Sequence, residues 1–362
     1  MLTIRYALSA AIALALSAAI VTPAAAQTAG KRSERSASQK QEAQKTVAEF
    51  PNATRKEPNT KPTPKGVKEL QALSKLYDED KFQELLDKAS SFAGQTSNSY
   101  EKAFAYQMAA VAANELENTA KSAEYFKAAV DANGLDNNGH YRLMSNLAVA
   151  QAQLEQFPES IATIDRFLAE TRNDDSKYIT MKAGLLAQAG RNEEAAALFQ
   201  QELAKNPEDK RLLMNAVATL QQADKFSQAN ALLEQARSRG LLTEAREYRA
   251  LYSGLLNDEK WREAAAVIED GVAKGVLPKD GELAKAWSVT ANRAYFDEDL
   301  AAAARFYELG APLAEDGETW LNLAKIYNQQ GNTAKTREAA RQALAKGGLR
   351  NKDEANRLAN LK

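Results

Sequence analysis

The chain has 362 residues, 47 Lys or Arg against 48 Asp or Glu, a formal charge of −1, one histidine and no cysteine. The lack of cysteine excludes disulfides, thiolate nucleophiles and thiolate metal sites, and it removes the residue that would carry a lipoprotein's lipid. The basic excess is confined to residues 27–65, leaving an acidic body, which argues against nucleic acid as the main partner.

The chain opens with MLTIR, whose one basic residue is Arg5, followed by the apolar run ALSAAIALALSAAIV and the small-residue exit TPAAA. That order predicts a secretory signal peptide over residues 1–26, cleaved after Ala26. The apolar run is about 15 residues, shorter than the roughly 20 needed to span a bilayer. The expected product has no transmembrane segment and sits in a Gram-negative periplasm, with secretion as the other destination.

Residues 27–65 hold nine Lys or Arg, four Glu, and prolines clustered from Pro51 to Pro64. So polar a segment cannot bury enough apolar surface to offset chain entropy, and a flexible basic, proline-rich linker is expected.

From residue 66 apolar residues recur at steps of three and four, the helix period, with almost no strand-like alternation. Short breaks fall roughly 35 residues apart, a spacing that signals internal repeats. The breaks are at 78–82, 116–120, 154–158, 188–192, 222–226, 257–261, 297–300 and 329–333. Phe82, Phe157, Phe226 and Trp261 stand at equivalent places after four of them. In the last unit, Trp320, Leu323 and Tyr327 share one helix face. Ala324, Ala340 and Ala343 keep the facing surfaces small, and Gly331 permits the angle that ends the first helix.

These offsets resemble the tetratricopeptide repeat. A second unit carries Ala183, Gly190, Ala195, Phe199 and Pro207, with Lys182 where that family has Leu, and a third carries Leu213, Ala229 and Ala236. The resemblance implies an all-α fold, a superhelical solenoid of about eight helix-turn-helix repeats over residues 66–349. Residues 350–362 would form a capping helix, since each repeat leaves an apolar side open to its neighbour. A groove lined by the first helix of each pair would face the partner.

Catalysis is not expected. His140 would have to carry a nucleophilic site alone, and its place after LDNNG suggests a surface position. The carboxylate clusters Asp78-Glu79-Asp80, Asp174-Asp175 and Asp297-Glu298-Asp299 fall at turns, where acids favour the next helix start. No metal site, phosphate loop or cofactor is indicated. Phe82, Trp261, Trp287 and Trp320 read as core rather than as a ligand platform.

The candidate partner-binding groove rests on basic residues read as the second position of successive first helices: Arg142, Lys177, Arg211, Arg246 and Lys285. A helix start disfavours cations, so their recurrence points to an acidic or carboxylate-bearing segment of a protein partner. Arg249 lies a turn further on, and Asn146, Asn215 and Asn292 supply amides nearby. Residues 240–360, with Asp316-Gly317-Glu318 and the Ala-Lys-Gly-Gly-Leu exit at 345–349, resemble periplasmic tetratricopeptide proteins that accompany the TonB–ExbB–ExbD system. That likeness implies a non-catalytic accessory of TonB-dependent uptake, bound to TonB-system components or outer-membrane receptors. The alternatives are an adaptor for outer-membrane assembly, polysaccharide export or pilus biogenesis, and a solute-binding protein or enzyme, which would need a deep polar pocket.

Overall fold

A computed structural model describes residues 48–362; the expected signal peptide and residues 27–47 of the expected linker lie outside the described residues. Among the described residues all regular structure is α-helical, and no helix is long and apolar enough to cross a membrane. The described chain falls into two compact units, one ending at Ala195 and the other running from Ala196 to Lys362.

The first unit contains α1 (Pro64–Asp78), α2 (Phe82–Gln95), α3 (Ser99–Glu115), α4 (Thr119–Ala132), α5 (Asn137–Gln153), α6 (Phe157–Thr171) and α7 (Ser176–Gln188). The unit boundary cuts α8 (Asn192–Lys205). The second unit continues with α9 (Lys210–Gln222), α10 (Phe226–Ser238), α11 (Ala245–Asn257), α12 (Trp261–Ala273), α13 (Gly281–Phe296), α14 (Leu300–Gly310), α15 (Glu318–Gln329), α16 (Thr333–Lys346) and α17 (Lys352–Ala359). In chain order these are eight helix-turn-helix repeats and a final single helix, as the sequence periodicity predicts. Phe82, Phe157, Phe226 and Trp261 each open the second helix of their pair.

One turn geometry recurs in all eight hairpins. The second residue after each first helix takes a left-handed conformation: Asp80, Glu117, Glu155, Gly190, Asp224, Glu259, Glu298 and Gly331. The next residue donates its N–H to a carbonyl five positions back, as in Lys81 to Leu76 at 3.0 Å, Asn118 to Ala113 at 2.8 Å and Asn332 to Tyr327 at 2.9 Å. This closure satisfies carbonyls the helix end would leave unpaired. Six of the eight residues are exposed Asp or Glu rather than glycine. An L-residue is strained there, so Glu117→Gly and Glu155→Gly should each raise stability, by about 0.5–1 kcal/mol after the entropy glycine adds to the unfolded chain. The measurement is the urea midpoint at unchanged slope; a fall would mean that the carboxylate itself stabilises the turn.

Between hairpin helices the seam is built from alanine. In α3, Ala103, Ala105, Ala109, Ala110, Ala112 and Ala113 are buried, which lets neighbouring backbones approach closely. In the last hairpin Ala324, Ala340 and Ala343 are fully buried beside Leu323 and Tyr327, while Trp320 is only half-buried. Thr336 is also fully buried, and its hydroxyl donates to the Asn332 carbonyl at 2.8 Å. The helix α17 covers this hairpin with Ala355, Leu358 and Ala359, and Glu354 pairs with Lys325 at 3.0 Å. The other tryptophans, Trp261 and Trp287, are buried; Trp261 Nε1 donates to Asp297 Oδ2 at 2.7 Å.

Two buried carboxylates cap helices at matching places. Glu101, third residue of α3, accepts from the Thr63 N–H at 2.7 Å and the Thr96 hydroxyl at 2.6 Å. Glu247, third residue of α11, is fully buried and accepts from the N–H groups of Thr243 at 2.8 Å and Glu244 at 3.0 Å. It also pairs with Lys210 of α9 at 2.8 Å.

Candidate functional site

The first unit carries a feature that the linker expectation misses. Residues 48–63 run as an irregular strap past the starts of α3, α5 and α7 instead of standing free, with a turn at Pro51–Asn52 closed by the Ala53 N–H donating to the Phe50 carbonyl at 3.2 Å. Phe50 is buried to 4% exposure, against the rings of Tyr141 (5.3 Å between centroids), Phe167 (5.5 Å) and Tyr178 (6.2 Å). These receiving rings come from α5, α6 and α7. Edge-on packing of this kind adds to the gain from burying the ring.

Polar groups fix the strap on either side of Phe50. Arg142 Nε donates to Glu49 Oε2 at 3.0 Å, and the same guanidinium forms a second, short bond to the other carboxylate oxygen. Glu49 N–H donates to Asn138 Oδ1 at 2.9 Å, and Thr54 N–H to the Glu170 carbonyl at 2.7 Å. The Arg55 guanidinium reaches Asn133 Oδ1 at 2.7 Å, Asn137 Oδ1 at 2.8 Å and the Leu135 carbonyl at 2.9 Å. Glu57 accepts the Asn137 N–H at 2.8 Å, and the Lys61 carbonyl accepts from Asn98 at 2.8 Å. The one sequence signal for this docking is Phe50, the single aromatic between residues 27 and 76.

His140 lies in the same region and is not a surface residue. It is the fourth residue of α5, only 1% exposed, with its ring edge-on to Tyr141 at 5.4 Å. The N-cap Asp136, accepting from Gly139 at 2.7 Å, starts α5 early enough to turn position 140 inward. Burial, with the positive Arg55 and Arg166 nearby, lowers its pKa to about 4.

The basic residues do not share one register. Lys177, Arg211 and Arg246 are second in α7, α9 and α11, but Arg142 is sixth in α5 and Lys285 fifth in α13. The caps Asp136 and Asp280 begin those two helices earlier than the apolar pattern suggests, and their second residues are Asn138 and Glu282.

In the first unit Arg142 is engaged by the strap, Asn146 is half-buried, and Lys177 is exposed with its ammonium 5.1 Å from the Tyr178 ring centre. In the second unit Arg246 pairs with Glu244 at 2.8 Å and Arg249 with Glu282 at 2.6 Å. Asn292 accepts from the Tyr307 hydroxyl at 2.7 Å, and Asn215 is half-buried. Arg211 and Lys285 are exposed and have no carboxylate partner among the described residues. Pairs this exposed are worth under about 1 kcal/mol, so those cations stay available to a partner.

The motifs behind the TonB likeness have local structural work to do. Gly317 N–H donates to the Gly347 carbonyl at 2.7 Å, and a Cβ on Gly317 would stand 2.2 Å from the Ala343 carbonyl oxygen. Asp316 accepts the Glu318 N–H at 3.1 Å. Asp316, Gly317 and Gly347 therefore each have a local role in closing the last hairpin.

The tetratricopeptide repeat family pattern matches residues 180–211. That stretch is the unit marked in the sequence by Ala183, Gly190, Ala195, Phe199 and Pro207. Among curated proteins no relative matches the chain. Among solved structures it is similar to a tetratricopeptide repeat protein from Parabacteroides merdae, 16% identical, covering 72% of this chain and 99% of that one, with a TM-score of 0.40. It is also similar to the C-terminal part of a repeat protein from Cytophaga hutchinsonii, 14% identical, covering 68% and 97%, with a TM-score of 0.43. A third is YrrB, described as a TPR protein with an unusual peptide-binding site, 16% identical, covering 55% and 98%, with a TM-score of 0.35. The family match covers most of one of eight alike hairpins and reaches the first two residues of α9, and the described residues form tetratricopeptide-like helical repeats.

Proposed function

We propose that the protein is a non-catalytic periplasmic scaffold that holds a protein partner through an acidic or carboxylate-bearing segment. The observation that carries this reading is Arg142 gripping the Glu49 carboxylate of a non-helical segment with two hydrogen bonds. Forked bonds of this sort suit Arg to carboxylate recognition. The exposed cations Lys177, Arg211, Arg246 and Lys285 extend the same chemistry along other first helices. A role as accessory of TonB-dependent uptake is the specific assignment, supported by the resemblance over residues 240–360.

The test is affinity capture from periplasm and solubilised membranes, comparing the native chain with an Arg211→Glu/Arg246→Glu variant. Loss of one captured protein by at least about tenfold, roughly 1.4 kcal/mol, is expected with helicity unchanged. TonB-system components among the lost proteins would support that assignment, and components of another envelope machine would replace it. Equal capture by both chains would remove the basic surface from the proposal.

A further inference from the structure

The geometry points to a peptide-exchange site in the first unit. We propose that the slot formed by Tyr141, Phe167 and Tyr178, with Arg142 at its mouth, binds a partner segment bearing an acid followed by an aromatic residue and a turn. Residues 49–55 of the chain would be its built-in occupant, displaced when the partner arrives. This deepens the scaffold reading and rests on it.

Three features of the strap support exchange. It is held at separated anchors: Phe50 is buried and Arg55 half-buried, while Pro51, Asn52, Thr54, Lys56 and Glu57 are exposed. A segment committed to the core would bury more of its length, since ordering each residue costs chain entropy. Next, part of the grip is blind to side chains. The Glu49 N–H to Asn138 and the Thr54 N–H to the Glu170 carbonyl are backbone donations, spaced by the turn that the Ala53 N–H closes on the Phe50 carbonyl at 3.2 Å. What remains is selective, because an aromatic ring must enter the slot and a carboxylate must meet Arg142. Last, the hinge is separate from the occupant. At its far end the strap is tied by Asn98 to the Lys61 carbonyl and by the Thr63 N–H to Glu101. Residues 49–57 can therefore leave while α1 stays capped by Thr63, which accepts from Gly66 at 3.0 Å. The helices α5, α6 and α7 keep their own ladders throughout.

The experiment uses a labelled peptide of residues 48–58, AEFPNATRKEP, added to the full chain and followed by fluorescence anisotropy. In a chain carrying Glu49→Ala and Phe50→Ala the slot is empty, and the peptide should bind about tenfold more tightly than to the native chain, where the strap competes. Adding Arg142→Glu to the emptied chain should abolish binding, and a peptide carrying Glu49→Lys should restore it. If Phe50→Ala lowers helicity, the half-exposed Glu49→Lys alone weakens the strap and gives the same ordering of affinities. No binding to a folded, emptied chain would overturn the site, and equal binding to native and emptied chains would overturn the exchange. A native dimer dissociated by the peptide would give the slot to a second copy's strap and overturn the partner assignment. Failure of capture at Arg211 and Arg246 leaves this outcome untouched, and failure here leaves the capture test untouched.

Discussion

Lowering the pH from 6.5 to about 4 should cost the folded protein about 3 kcal/mol through His140 alone. In the unfolded chain this imidazole takes its proton near 6.5. In the folded chain burial, with Arg55 and Arg166 adding repulsion and Glu170 opposing it weakly, holds the pKa to about 4. The unfolded state therefore binds the proton first as pH falls. Stability is intact above 6.5, declines between 6.5 and 4, and falls no further on this account below that. Neither ring nitrogen has a hydrogen-bond partner among the described residues, so nothing stabilises the cation in place. Urea midpoints across this range should flatten in His140→Leu. Since His140 is the single histidine, a slope between pH 5 and 6.5 that persists in the variant would place His140 in contact with water.

The second large effect belongs to Glu247. Burial alone would push its carboxyl up, but the Lys210 ammonium and the N–H groups of Glu244 and Thr243 outweigh that and hold it below its ordinary value. Glu247→Ala would leave two N–H groups without their acceptor and Lys210 without its nearest anion. The expected loss is about 3 kcal/mol. Glu282→Ala, which removes an exposed partner of Arg249, should cost under about 1 kcal/mol. Chemical denaturation at pH 7 separates the two. With a folded pKa below the unfolded one, the Glu247 contribution is present above the ordinary carboxylate range and is lost as pH falls through the folded value. Its window lies below that of His140. Comparable losses from Glu247→Ala and Glu282→Ala would show that the buried cap contributes little.

The repeat architecture was legible because its determinants are local. Bulky residues at Phe82, Phe157, Phe226 and Trp261, small ones at the seams and a break at each turn are all visible within one period. The strap was hidden because its partners are distant: Phe50 meets Tyr141 and Phe167 across about a hundred residues of chain. Composition rightly marked the segment as polar, but a single aromatic and a few polar side chains, Glu49, Arg55 and Glu57 among them, hold it in place. The common register expected for the basic row was missed for a different reason. Helix starts depend on which Asp or Asn side chain caps them, and Asp136 and Asp280 shifted two of the five registers. His140 was misplaced by the same shift.

The left-handed turn in each hairpin has a consequence for how such a chain can change. Its closing hydrogen bond links residues only five apart, so two hairpins cut and rejoined at their turns each keep that bond. The turn is thus a natural crossover point, and a gene of this kind can gain, lose or shuffle whole periods without inventing new joints.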